Sequence, residues 1–423
     1  MSDAASKPNT PNTYKVLSLF SGCGGMDLGF EGHFIAHRKS FKPGSDLIER
    51  EIDDNWVMLK KNNFTTVFAN DILPEARKTW ITYMSRYGYA PETYRPESVV
   101  DLVKTHRTGA DVFPKDVDVV TGGFPCQDFS VAGKRKGFES QKDHMGQLRS
   151  PGEPSEETRG KLYFWMRQVI DITRPKLFVA ENVRGLVSLG DAKDMIQEDF
   201  AAAGGNGYIV LDPRVLHAGD YGVPESRERV IFIGVRKDAL RPEALAKLGS
   251  KTIPEEYNPY PKPTHAATVK DDTLLPIVTA YDVLGDLKEP EDSRDESQQV
   301  YSRAKYLDNG SQGQTEIKLD GLAPTIRSEH HGNIEFRRLS AEHGGDHWEE
   351  LGKGMRERRL TPRECALIQT FPPDYRFVMR NGNARDYYVS QSGAYKVIGN
   401  AVPPVLAYHI ANRLQELWPR YFK

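Results

Sequence analysis

One cysteine stands where a reactive thiol would be presented. Val117-Asp118-Val119-Val120-Thr121-Gly122-Gly123-Phe124-Pro125-Cys126-Gln127 reads as a buried strand running into a glycine turn, with Pro125 fixing the backbone just before Cys126. A thiol held there becomes a nucleophile once deprotonated. A second segment, Leu177-Phe178-Val179-Ala180-Glu181-Asn182-Val183, is a buried strand that delivers a carboxylate at its C-terminal end, where a carboxylate needs a partner. A third, Tyr221-Gly222-Val223-Pro224-Glu225-Ser226-Arg227-Glu228-Arg229, precedes another strand. Alternate positions of an extended chain face the same way, so Arg227 and Arg229 are expected to aim together at one anion or carbonyl.

A binding turn accompanies these groups. The first strand enters Phe20-Ser21-Gly22-Cys23-Gly24-Gly25-Met26-Asp27-Leu28-Gly29-Phe30, a glycine-rich turn opening a helix, which brings backbone amides close to a polar ligand. Counting from Gly22 and Gly24, the third glycine of the dinucleotide fingerprint is replaced by Asp27, which disfavours a nicotinamide enzyme. The second strand ends in Ala69-Asn70-Asp71. Asp71 is a ribose ligand candidate, with a helix cap for the segment from Pro74 to Trp80 as the alternative.

The elements that must position these groups alternate. Strands are expected at Lys15 to Phe20, Thr66 to Asn70, Val117 to Thr121, Lys176 to Glu181 and Arg229 to Val235, with helices between them. That alternation predicts a parallel, doubly wound sheet with its site along the strand C-terminal edge. At 423 residues two domains are the default. Ser2 to Thr13 is a polar tail, neither signal peptide nor anchor, and no apolar run reaches bilayer length. The three cysteines, Cys23, Cys126 and Cys365, have no spacing for zinc or a disulfide framework, so a reducing, cytoplasmic setting is expected. The net charge of −2 gives no global nucleic-acid signature, and any such contact must come from local patches. From Lys237 the text turns irregular and proline-rich, and Asp286 to Gln299 reads as a solvated charged loop.

Taken in order, the motifs resemble those of the cytosine-5 DNA methyltransferases over nearly the whole chain. The resemblance rests on Phe-Ser-Gly-Cys-Gly-Gly (20–25), Pro-Cys-Gln (125–127), Glu-Asn-Val (181–183), Arg-Glu-Arg (227–229), Arg-Arg-Leu-Thr-Pro-Arg-Glu-Cys-Ala (358–366) and Ile-Gly-Asn-Ala-Val (398–402). It implies a methyltransferase (Rossmann-like) α/β sheet with a smaller irregular, β-rich recognition domain, S-adenosylmethionine as cofactor and double-stranded DNA as substrate. It further implies that Phe20 stacks on the adenine, that Gly22, Gly24 and Gly25 form the turn, that Asp71 holds the ribose, and that Ile72 belongs to the same cofactor site. Asp101 and Leu102 would flank the base, Pro125 and Leu162 would line the pocket, and Asn400 would return to it from the C-terminus. Cys126 would add to carbon 6 of a flipped-out cytosine, Glu181 would bond its nitrogen 3, Arg229 would hold its carbonyl, and Arg227 would orient cysteine and target.

By the same resemblance, residues 14–236 and 356–423 form the catalytic domain, after a tail at 1–13, and 237–355 reads the DNA sequence. Gln127, Ser130, Lys134 and Arg135 lie in a loop expected to close over the base, and Thr325 and Arg327 in a segment expected against the flipped nucleotide. His330, His331, Asn333, Arg337 and Arg338 are further groove or phosphate candidates. No metal is expected, since His330-His331 has no ligand company. The reading is a modification enzyme, monomeric and the possible partner of a restriction endonuclease. RNA methylation and a catalytically silent DNA-binding relative are the alternatives, opposed by the long recognition segment and by the intact Cys126, Glu181, Arg227 and Arg229. Phe371-Pro372-Pro373-Asp374 has the wrong order for an amino-methyltransferase. Three departures stand out. A long stretch separates Phe30 from Asp71, expected to extend the first helix or touch DNA flanks; the loop after Phe138 is enlarged; and Glu225 replaces the family's usual glutamine, where it would pair with Arg227.

Overall fold

The computed structural model describes residues 13–125, 162–189, 191–269, 273–303, 314–328, 334–346, 348–382 and 386–423. In chain order its principal elements begin with β1 (Tyr14–Leu19), α1 (Gly25–Glu31), β2 (Ile35–His37), β3 (Ile48–Glu51), β4 (Trp56–Leu59) and β5 (Phe64–Asn70). There follow α2 (Pro74–Met84), β6 (Tyr94–Arg95), α3 (Val99–Arg107), β7 (Val119–Gly123), α4 (Leu162–Thr173), β8 (Leu177–Val183) and α5 (Ala192–Ala201). Beyond them come β9 (Tyr208–Val210), β10 (Arg214–His217), β11 (Glu225–Ser226) and β12 (Glu228–Arg236).

The main sheet runs β10-β12-β8-β7-β1-β5-β6, with β9 also on β12. The strands from β8 to β6 are mutually parallel, as the alternation of strand and helix predicts. The strand that begins near Arg229 departs from the expected all-parallel sheet: β12 is antiparallel to β8, and so are β9 and β10 to β12. The direction of β12 matters for the site. An antiparallel β12 starts at the edge where the parallel strands end, so its first residues join their C-terminal ends.

Strand residues alternate between two cores. Val16, Leu177, Val179, Ile231 and Ile233 belong to one face, and Leu17, Leu19, Phe178, Ala180, Val230 and Phe232 to the other. Burial on both faces explains why these strands read as unbroken apolar runs. The chain's last helix, Pro404–Tyr421, packs on α1 so closely that a Cβ on Gly29 would lie 2.4 Å from that of Ala407. Residues after Arg236 also stay with this body: the Tyr260 hydroxyl donates to the Ile231 carbonyl, and Arg413 of the last helix donates to the Asn258 carbonyl. No helix among the described residues is long and apolar enough to cross a membrane.

The long stretch after Phe30 does not extend the first helix. It folds as a three-stranded antiparallel sheet, β2-β4-β3, bridged to the region beyond Arg236 by Lys39–Asp282 at 2.6 Å and by Asn55 donating to Asp286 at 2.6 Å. The charged stretch 286–299 is likewise not a solvated loop. Ser297 and Gln298 are buried, Asp295 pairs with Arg363 at 2.5 Å, and Glu289 holds Arg338 and Arg358. Arg337 and Arg338 are therefore spent inside an ion-pair network with Glu289 and Glu350 and do not face a groove.

Candidate active site

Register aligns the ends of the parallel strands: Leu19 sits opposite both Asn70 and Gly122, and Gly123 opposite Glu181. Phe20 leaves β1 half-buried with φ of 52°, a left-handed conformation that costs a non-glycine residue of order 1 kcal/mol or more and is held here by its surroundings. The turn that follows is tied to β5. The Ser21 amide donates to the Asn70 carbonyl at 2.8 Å, and the Gly22 amide to the Asp71 carboxylate at 3.1 Å. Asp71 also accepts from the Leu73 amide at 3.0 Å. Burial raises its pKa, opposed by these amide bonds. Asp71 thus braces the turn, and it is not the N-cap of α2, which is Leu73. Ile72 follows it, half-buried.

Beneath the turn, Gly24 has φ of 85° and leaves no room for a side chain: a Cβ would lie 2.6 Å from the Trp80 ring. Gly25 is as tight against the Val402 carbonyl, at 2.2 Å, whereas Gly22 faces open space. Asp27 is buried and accepts from Ser18 Oγ at 2.5 Å and Trp80 Nε1 at 2.7 Å, and burial pushes its pKa up to about 6. The residue that breaks the dinucleotide fingerprint is therefore a strut of this turn. Leu162 is buried at the start of α4, and Asn400 is exposed at the end of the helix Gln391–Asn400. The pair expected to flank the base divides. Leu102 is buried in the core and Asp101 points to solvent, because β6 already ends at Arg95 and Ser98 caps α3.

The chemistry-bearing strands meet beside that turn. Glu181, 6 % exposed, lies over Gly123, where a Cβ would come within 2.8 Å of its Oε2. Its Oε1 pairs with Arg229 Nε at 2.7 Å. Burial raises the Glu181 pKa, and Arg229 and then Arg227 oppose the rise. Asn182 Nδ2 donates to the Phe124 carbonyl at 3.2 Å, which fixes the backbone entering half-buried Pro125. Cys126, Gln127, Ser130, Lys134 and Arg135, with His330, His331 and Asn333, lie outside the described residues.

Arg227 does not aim with Arg229. The residue between them places Arg227 before β12 begins, and its guanidinium is wholly buried. It donates to the carbonyls of Ile326 at 3.0 Å, Gly399 at 2.8 Å and Ala401 at 2.8 Å. Glu225 lies 3.5 Å away and accepts from the Ile326 amide at 2.6 Å. Thr325, half-buried, donates its hydroxyl to the Ser226 carbonyl at 2.6 Å. Arg327 presses its backbone on Gly399, where a Cβ would fall 2.1 Å from the Arg327 carbonyl carbon. Among the groups that reasoning from sequence missed, Trp80 carried no visible signal, Asn182 was visible only as the middle of the Glu-Asn-Val motif, and Asp27 only as an exception to a motif.

A family model described as C-5 cytosine-specific DNA methylase matches residues 14–416. The chain belongs to that family. It is 32% identical over 402 residues to the Type II methyltransferase M.BsuRI of Bacillus subtilis, covering 94% of this chain and 78% of the relative. It is 32% identical over 419 residues to M.BspRI of Lysinibacillus sphaericus, covering 97% and 83%. The structure of the S. pombe Dnmt2 methyltransferase superposes with a TM-score of 0.52 at 17% identity, covering 96% of this chain and 99% of that one, which shows the shared fold. This C-5 cytosine-specific DNA methylase is thus an enzyme of the restriction-modification type that acts on DNA cytosine. Among the described residues no cluster of metal-ligating side chains occurs.

Proposed function

We propose that the protein methylates carbon 5 of a cytosine within a specific double-stranded DNA sequence, using S-adenosylmethionine and Cys126 as nucleophile. The observation that carries the reading is the Glu181–Arg229 pair, facing Gly123 at the end of the strand that leads to Cys126. Carbon 5 of cytosine is a poor nucleophile, and addition of a thiolate to carbon 6 makes it enamine-like; after methyl transfer a water removes the carbon 5 proton and the carbon 6–sulfur bond breaks, returning the thiolate. Glu181, whose raised pKa favours its protonated form, donates to nitrogen 3 as charge develops there, and Arg229 both orients that carboxyl group and holds the base carbonyl. A base stacked in a duplex cannot reach a strand-end carboxylate in a sheet, so the cytosine is flipped out.

The glycine turn suits the cofactor. Gly22 opens onto free space, Phe20 is half-buried beside it, and the half-buried Asp71 carboxylate, steadied by backbone amides, can also accept from ribose hydroxyls. When bound, S-adenosylmethionine supplies an electrophilic methyl group. Phe20, Asp71, Ile72, Leu162 and Asn400 are the residues proposed to hold it. Gln127, Ser130, Lys134, Arg135, Thr325 and Arg327 are proposed DNA contacts. The protein is proposed to act as a monomer in the cytoplasm, beside an endonuclease of the same specificity.

The test is to incubate purified protein with S-adenosylmethionine and unmethylated plasmid, with Cys126→Ala as control, and to map 5-methylcytosine by bisulfite sequencing. Modification at one recurring short sequence, absent with the control, is the expected outcome. A folded, cofactor-binding wild type that leaves the plasmid unmodified rejects the reading, as does an active Cys126→Ala.

A further inference from the structure

Arg227 lies at the crossing of two segments far apart in sequence. On one side is the strip 323–328, which carries Thr325 and Arg327. Ala323 and Pro324 pair with Glu225 and Ser226 as two parallel strands, and Thr325 and Ile326 add hydrogen bonds to Ser226 and Glu225. On the other side is the end of the helix Gln391–Asn400, where the carbonyls on either side of exposed Asn400 both accept from Arg227 Nη2. The two segments also touch directly, through Gly399 on the Arg327 and Ser328 backbone. One residue past Ala401, the Val402 carbonyl sits against Gly25 of the glycine turn. A continuous backbone path therefore runs from the strip that carries the proposed DNA contacts, through one guanidinium, to the turn proposed to bind the cofactor.

We propose that Arg227 is a positioning residue that couples the two sites: DNA seated on the strip 323–328 fixes the Gly399–Ala401 loop through this guanidinium and so tightens cofactor binding, and the cofactor tightens DNA binding in return. The inference rests on the function proposed above. Arg227 is suited to the task because its rigid planar fork can serve three carbonyls at once, which a lysine ammonium on a flexible stem does not reproduce. Coupling between sites is reciprocal in free energy, so it can be read from either ligand.

The experiment uses the full chain, S-adenosylhomocysteine as an unreactive cofactor analogue, and a short duplex carrying the sequence that bisulfite mapping identifies. Calorimetry gives the analogue's affinity with and without duplex. For the wild type a tightening of about tenfold is expected, within the usual range of such couplings. Arg227→Lys should bring that ratio to about twofold or less, whatever its effect on the affinity without DNA. Glu225→Gln, which keeps an oxygen for the Ile326 amide and leaves Arg227 in place, should retain the wild-type ratio. A merely structural defect would lower both affinities or the active fraction and leave the ratio alone. Hydrogen exchange on the wild type supplies a reading that needs no variant: the peptide spanning 396–402 should exchange more slowly when duplex alone is bound. Wild-type coupling in Arg227→Lys, no coupling in the wild type, or unchanged exchange at 396–402 overturns the proposal while the methylation reading stands. A wild type that methylates no plasmid overturns the enzymatic reading and the coupling with it.

Discussion

Arg229 meets Glu181 at 2.7 Å with 9 % and 6 % of their surfaces still exposed, whereas Arg227, two positions earlier, meets Glu225 at 3.5 Å with neither exposed at all. The first carboxylate pairs with Arg229 within reach of the sheet edge. In the second pair the guanidinium serves three backbone carbonyls and the carboxylate accepts a backbone amide. Burial lowers the Arg227 pKa to about 10 and raises that of Glu225, the usual mark of desolvated charge. A pair with hydrogen-bonding capacity left at a strand end can meet a substrate, while one whose fork is committed to carbonyls of distant segments works as a joint. Two residues of spacing and one change of backbone direction separate chemistry from architecture.

The largest test of this contrast is Arg227→Ala. Removing one partner of a fully buried pair leaves Glu225 uncompensated and three carbonyls without their donor, a loss of about 3–5 kcal/mol, measured by urea unfolding. Arg229→Ala, closer to water, should cost less than half of that. Equal losses in the two variants would erase the distinction. Glu181→Gln comes next, with stability held but kcat reduced about 100- to 1,000-fold. Its pH profile sharpens the point. The raised pKa of Glu181 means that its protonated form persists above the ordinary carboxylate range and disappears as pH rises, so the wild-type rate should carry a falling limb from Glu181 that the permanently neutral glutamine lacks. A variant profile with the same falling limb would detach Glu181 from it. Gly123→Ala is smaller again. The new methyl would lie 2.8 Å from Glu181 Oε2, so the carboxylate must shift, and about a 10- to 100-fold loss in kcat is expected with little change in melting temperature.

Why some of this was legible in sequence is a matter of range. The parallel strands, the glycine turn and Glu181 at a strand end follow from local patterns, apolar runs ended by glycine or by a polar residue, and the structure places them where those patterns point. The direction of β12 was not legible, because an apolar run reads the same in either sense and only its partner, β8, sets the direction. The surroundings of Asp101 were not legible for a local reason: no pattern marks the short strand β6 at Tyr94–Arg95 or the Ser98 cap that places Asp101, exposed, in the first turn of α3. Arg337, Arg338 and the stretch 286–299 failed for a long-range one. Charged residues read as solvated unless their partners are known, and here Glu289 and Asp295 find arginines more than 40 positions away. The pairing of Glu225 with Arg227 was expected from the resemblance, as a carboxylate in place of the family's glutamine, but the three carbonyls that give Arg227 its place come from segments that no periodicity connects.

The smallest expected effect falls on the same joint. Glu225→Gln restores the residue that the resemblance leads one to expect, and its carboxamide oxygen can still accept from the Ile326 amide. It removes an attraction for Arg227 but also removes the cost of burying a carboxylate, so the net change at neutral pH should stay within about 1 kcal/mol. The pH dependence separates the two terms. Because burial raises the Glu225 pKa above 4.5, the folded state holds this proton more tightly than the unfolded chain does. Its contribution to stability is therefore fully present below the unfolded value and is lost as pH rises through the folded one. Glu225→Gln should lack that decline, and its denaturation midpoint should gain on the wild type as pH climbs from 4 toward neutrality. A midpoint that instead falls steadily behind the wild type over the same range would mean that the charge on Glu225 holds Arg227 in place, and that the joint depends on the ion pair more than on the carbonyls.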